Sequence, residues 1–199
     1  MNGALIEPDG LGTALFLILA LAATGVVHVW WLRWATADLL MRPLDFGLTF
    51  RGRRVFGDNK RLRGVLLMPV VAALAFAGLG AMRQNLPDLL SLGMWELSSG
   101  RYALLGAAAG CAFMLAELPN SFLKRQLGVA PGGSPDRGWA RLICPLLDRV
   151  DSSLGVLIVV SLLVPTSAAA WAWVLLLGPL LHALFSASLW WLGVKDRAL

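Results

Sequence analysis

Long apolar runs, broken by two charged segments, set the pattern of this chain. The first run extends from Leu11 to about Trp34, with no charge before Arg33. The second extends from Gly64 to about Met82, and the third from Tyr102 to about Leu118. The remaining stretch, Ser152–Val194, is apolar except for Pro165-Thr166-Ser167, and its length suits two helices joined by a tight turn. A hydrocarbon core about 30 Å thick needs roughly 20 apolar residues in a helix. The first half of the last stretch, about residues 152–165, is short for that. A helix apolar all round belongs in a membrane or a large core. The pattern therefore predicts an all-α integral membrane protein with about five transmembrane helices. It forms a single membrane domain over residues 1–199, with two functional loops at about 35–63 and 119–151. Arg83–Gly100 reads as a short polar link.

Composition agrees: 58% of the residues are hydrophobic and 15% charged, which excludes an ordinary soluble domain. A net charge of +5 would suit nucleic acid, but its distribution points to membrane topology instead. Of 17 Lys and Arg, eight lie in residues 33–63, five in 119–151 and two at the C-terminal end; Arg83 and Arg101 flank the link. Five spans put both rich segments on one side, which the positive-inside rule makes cytoplasmic, with the N-terminus outside in a cell membrane. Trp30, Trp31 and Trp34 read as interfacial aromatics. No Lys or Arg precedes the first apolar run, so it reads as a retained helix and not a cleaved signal. Cys111 and Cys144 lie in unlike surroundings, and no CxxC or His/Cys pattern marks a metal site. His28 and His182 lie in apolar helices and read as packing or helix–helix hydrogen-bonding residues.

The first charged segment contains LDFGLTFRGRRVFGDNKRLRG, residues 44–64. Glycines let backbone N–H groups approach an anion, and arginine forks match phosphate oxygens. The pattern suits a polyphosphate, although it is not a Walker A loop; a solvated basic loop beside the membrane is the plainer alternative. In the second segment, a helix would bring Ser121, Lys124 and Arg125 near one face. Asp148 and Asp151 would share a face at i, i+3. Two such carboxylates can hold Mg²⁺ together with waters and substrate phosphates. They could equally form an acidic cap on the helix that follows.

The run Thr49–Gly64 resembles the cytoplasmic signature of CDP-archaeol synthases. Ser121–Gly128, Pro131-Gly132 and Pro145–Asp151 resemble their second signature, and are similar to the Ser/Lys-Arg and Asp-Arg-x-Asp elements of phosphatidate cytidylyltransferases. The resemblance covers both loops and the five-helix layout. It implies a Mg²⁺-dependent enzyme of phospholipid biosynthesis that joins CTP to a membrane lipid phosphate, giving a CDP-lipid and pyrophosphate. On that resemblance Asp58, Asn59, Lys60 and Arg63 bind the nucleotide. Ser121, Arg125 and Arg53 contact phosphates. Asp148 and Asp151 bind the metal and, with Lys124, carry the catalysis. The family usually has Gly-Asp upstream of the serine; this chain has Ala116-Glu117, which offers Glu117 as a longer carboxylate and a third candidate for the metal.

The implied chemistry needs no general base, because a lipid phosphate is already an anion. It needs positioning and charge neutralisation. The alternative from another class is a non-catalytic membrane scaffold or transporter-associated protein derived from the same family. Transport usually requires polar or charged residues inside the membrane, and these apolar runs hold almost none. Small residues at Ala72–Gly80 and Ala107–Gly110 suit close helix packing, within the chain or in a homodimer.

Overall fold

A computed structural model of the chain describes residues 5–34, 38–130, 133, 138 and 140–191. Five long helices dominate it: α1 (Gly10–Trp34), α2 (Leu62–Ala81), α4 (Ser99–Gln126), α5 (Ala140–Leu163) and α6 (Ala168–Trp191). A two-stranded hairpin, β1 (Thr49–Phe50) and β2 (Arg53–Arg54), lies between α1 and α2, and the short helix α3 (Asp88–Ser91) between α2 and α4. Gly10–His28, Leu62–Ala81 and Ser99–Gln126 are long and apolar enough to cross a membrane; Val150–Leu163 and Ala168–Leu181 are shorter apolar stretches. The chain is thus an all-α membrane protein. The Pro131-Gly132 element of the second signature falls outside the described residues, as do Arg137 and the basic C-terminal tail and the side chains of Arg33, Arg141, Arg149 and His182.

Two boundaries differ from the sequence reading. The third span does not stop near Leu118: α4 runs through Pro119 to Gln126. Proline inside a helix forfeits one backbone bond, yet neighbouring helices let membrane helices tolerate it. Likewise α5 starts at Ala140 and not near Ser152. Much of the expected second loop is therefore helical. Asp148 and Asp151 lie two turns inside α5, which rules out the helix-cap reading.

Glycines hold α2 against α4. A Cβ on Gly110 would come within 2.7 Å of the Met68 carbonyl oxygen and 2.8 Å of Pro69 Cα, and one on Gly106 within 2.8 Å of Phe76 Cβ. The small residues are thus used inside the chain. At the bundle centre Phe16 meets Phe76, Trp95 and Tyr102 edge-on, with centroids 5.1, 6.1 and 5.6 Å apart. Trp95 belongs to the link that reads as polar in the sequence, yet it is buried. It donates through Nε1 to the Pro165 carbonyl at 2.7 Å, while Tyr102 Oη donates to the Trp95 carbonyl at 2.6 Å. Thr13 Oγ1 donates to Gly93 O at 2.9 Å. The link therefore closes one end of the bundle, and polar chemistry gathers at the other.

Candidate active site

The first charged loop is built around one buried carboxylate. Asp45 is 2% exposed. It accepts from Arg54 Nη2 at 2.5 Å, from the backbone N–H groups of Phe56 and Gly57 at 2.9 Å each, and from Gly47 at 3.1 Å. Burial by itself pushes this carboxyl upward; the Arg54 guanidinium and the three backbone N–H groups outweigh that and hold it well below the usual carboxylate range. Asp45 in turn holds the Arg54 guanidinium above its ordinary value. Arg51 and Gly52 turn the hairpin with φ of 51° and 75°, the left-handed pair that a two-residue hairpin turn requires. The glycine-rich run is thus an ordered hairpin and turn, fixed from below by Asp45.

The expected outcome for Asp45→Asn is a loop that loses about 2 kcal/mol of local stability at neutral pH. Hydrogen exchange over residues 45–58 measures it. The sign follows from the depressed value. The contribution is complete above the ordinary aspartate pKa of about 4, and is lost as pH falls through the lower folded value. Wild type should therefore lose protection on acidification below about pH 4, and the variant should show no such step.

Both charged segments meet at one end of the bundle. Lys60 pairs with Glu117 of α4. Glu117 Oε1 accepts from Ser152 Oγ of α5 at 3.0 Å, and the Ser152 backbone N–H and hydroxyl lie 2.7 and 3.2 Å from Asp151 Oδ1. Asn120 Nδ2 donates to Asp148 Oδ1 at 2.7 Å and to Asp151 Oδ2 at 3.2 Å. Lys124 pairs with the other oxygen of Asp148. A single network thus joins Lys60, Glu117, Ser152, Asp151, Asn120, Asp148 and Lys124. Helical spacing explains it: Glu117, Asn120 and Lys124 follow at i, i+3 and i+7 on α4, facing Asp148 and Asp151 at i, i+3 on α5.

Sequence reasoning missed Asn120 and Ser152 in this network. For Asn120 the signal was the helical period, hidden by ending the third span before Pro119; Ser152 stood at the start of the last apolar stretch, one residue past Asp151. The other expected residues sort differently. Asn59 and Arg63 line a cavity beside the network. Arg125 turns away from Lys124. It is 8% exposed, donates to the Ala130 carbonyl at 3.0 Å, and lines a smaller cavity with Arg53, Arg54 and Asp58. Arg53 reaches the Gln126 carbonyl, and Asp58 pairs with Arg54 at 3.0 Å. The Ser121 side chain makes no hydrogen bond among the described residues, and Ser121 lines neither cavity. Also among the described residues, no group of three or more His, Cys, Asp or Glu side chains converges as a metal cage.

The cavity beside the network measures about 470 Å³. Leu17, Leu21, Phe113, Val156 and Val174 line its apolar part, and Asn59, Lys60, Arg61, Arg63 and Glu117 its polar end. The charged network thus opens onto a cavity with an apolar wall and a charged end, inside the helix bundle of a membrane protein.

Comparison with known proteins narrows that class. The family described as CarS-like CDP-archaeol synthase matches residues 39–198. The CDP-archaeol synthase of Methanoculleus marisnigri is 33% identical over 168 residues, covering 77% of this chain and 87% of the relative. That of Halobacterium salinarum is 31% identical, covering 78% and 82%. That of Thermofilum pendens is 29% identical, covering 97% and 83%. No solved structure matches the chain. The chain belongs to the CDP-archaeol synthase family and is an enzyme, a CTP-dependent cytidylyltransferase that acts on a lipid phosphate.

Proposed function

We propose that this enzyme transfers the cytidylyl group of CTP to a two-chain lipid phosphate, with Mg²⁺ bound and pyrophosphate released, on the cytoplasmic face of the cell membrane. The names of the relatives make an archaeol phosphate the first acceptor to test. The observation that carries the reading is the network from Lys60 to Lys124 at the polar end of an apolar cavity. An oxygen of the lipid phosphate attacks the α-phosphorus of CTP. The bond from that phosphorus to the oxygen bridging to the β-phosphorus breaks, and its electron pair leaves with pyrophosphate. Every reactant is an anion, so the residues have to neutralise and align them.

The donor set suits Mg²⁺. Asp148 and Asp151 offer hard oxygens, and Asn120 and Lys124 now supply the positive partners that a cation would replace. Two carboxylates without a full protein cage match an ion that usually keeps waters and substrate phosphates as its other ligands. When bound, the ion would lower the charge on the triphosphate and the leaving pyrophosphate. Glu117, paired with Lys60 and accepting from Ser152, stands in the same network as a third candidate ligand.

Purified protein in detergent, given CTP, Mg²⁺ and a panel of lipid phosphates, should release pyrophosphate only when an acceptor is present. Archaeol phosphate is the expected best substrate. Binding of CTP without release from any acceptor would overturn the transfer reading.

A further inference from the structure

The glycine-rich hairpin presents apolar side chains where a loop in water would hide them. Phe46 is 62%, Leu48 65% and Phe50 47% exposed. Phe46 also has a φ of 47°, a left-handed conformation that a bulky side chain seldom adopts. The loop holds it there: Phe46 N–H donates to the Pro43 carbonyl at 3.1 Å, and Leu48 N–H to the Asp45 carbonyl at 2.7 Å. With Asp45 turned inward, the ring next to it is left outside. Two contacts place this edge at the level of the lipid headgroups. Its stem is tied to the start of α2, a helix apolar enough to cross a membrane: Pro43 bridges to Arg61, and Leu44 N–H donates to the Lys60 carbonyl at 2.7 Å. Phe50 meets Phe122 of α4 with ring centroids 5.7 Å apart. Phe122 lies about 35 Å along α4 from Ser99, against a hydrocarbon core about 30 Å thick, so this contact stands just outside the core. The exposed Arg51 adds charge to the same edge, its guanidinium carbon 5.3 Å from the Phe50 ring centroid.

We propose that the apolar edge of the hairpin, Phe46, Leu48 and Phe50, docks into the headgroup layer of the membrane that the chain itself crosses, with Arg51 reaching the phosphates of anionic lipids. Aromatic rings and a long cationic side chain suit that boundary, because each has an apolar body and a polar or charged tip to place. A second copy of this chain meeting the same edge about a two-fold axis would instead set like cations close together. Asp45 then fixes the loop from within and the lipid surface holds it from outside. Asn59 and Lys60, which the same loop carries to the polar end of the cavity, are thereby kept at headgroup height. The docking needs no substrate, so it is tested apart from the transfer reading.

A nitroxide label on the full chain reports the docking directly. The two native cysteines are first removed as Cys111→Ala and Cys144→Ala, and Leu48→Cys or Thr49→Cys is then labelled. Successive positions of an extended strand face opposite ways, so Thr49 serves as the reference. In vesicles of phosphatidylcholine and phosphatidylglycerol, the label at 48 should be shielded from a water-soluble nickel chelate and reached by dissolved oxygen, and the label at 49 should show the reverse. Equal access of the chelate to both positions would overturn the proposal. Shielding at 48 that comes with spin–spin broadening, growing as protein density rises, would assign the edge to a second copy and overturn it as well. Phe46→Cys gives a second reporter on the same loop and decides the question if Leu48→Cys does not fold. Arg51→Gln should lower the ratio of shielded to exposed label at 48 about fivefold in the anionic vesicles, with little change in phosphatidylcholine alone. An equal effect in both vesicles, or none in either, would overturn the part assigned to charge.

Discussion

Replacing either carboxylate of α5, as Asp148→Asn or Asp151→Asn, should lower Mg²⁺-dependent turnover by on the order of 10³-fold, while the protein still inserts and folds. Neither change removes a packing group, since Asn is nearly isosteric with Asp. The amide can still meet Asn120, which contributes both a donor and an acceptor. What disappears is one unit of negative charge and an oxygen suited to a hard cation. The two positions should differ in detail. Asp148 already carries Lys124 on one oxygen and Asn120 on the other, so Asp148→Asn also leaves the Lys124 ammonium uncompensated and free to pair with a substrate phosphate. Binding of metal-free CTP should then hold or tighten while turnover falls. Asp151 is tied to Asn120 and Ser152, with no cation of its own among the described residues, so Asp151→Asn should show the loss without that compensation. Turnover against Mg²⁺ concentration, alongside CTP binding with and without Mg²⁺, separates the effects. Full activity in either variant would remove these carboxylates as metal ligands.

The helical architecture was legible because membrane spans announce themselves by length and apolarity, which need no tertiary information. The ends of those spans were not. Hydropathy stops where charge begins, but a helix stops only where its backbone bonds do, so α4 and α5 each continue into charged sequence. The difference matters for the site, because Asn120, Lys124, Asp148 and Asp151 all stand on these continuations. Trp95 shows the same effect at the other end, where a segment polar on average buries its one indole in the core. Motif resemblance pointed to Lys60, Lys124, Asp148 and Asp151, and the fold brings them into one network. Helical spacing also grouped Ser121, Lys124 and Arg125 on one face, whereas in the fold Lys124 pairs with Asp148 and Arg125 lines the smaller cavity. Asp45 carried no motif signal at all. Its role comes from burial beneath four donors, which only the folded loop reveals.

Lys60→Ala should weaken CTP binding by on the order of 10²-fold, and the network allows the cause to be divided. Lys60 sits between the glycine-rich loop and α4, where it neutralises Glu117. Its removal takes away a cation that would meet a highly anionic ligand. It also unmasks Glu117, whose other oxygen is already held by Ser152 next to Asp151. The site would then present three carboxylates, Glu117, Asp148 and Asp151, against Lys124 alone within the network. The double variant Lys60→Ala/Glu117→Gln removes the unmasked charge but not the lost contact. If Lys60 acted only by shielding Glu117, the double variant would bind CTP as wild type does. Direct contact with the nucleotide predicts partial recovery only, with a residual loss that shrinks as salt screens the remaining charges. Unchanged CTP affinity in Lys60→Ala itself would remove this lysine from the nucleotide site. It would leave the Lys60–Glu117 pair as a tie between the loop and α4, with nucleotide binding then falling to Arg63 and the arginines around the smaller cavity.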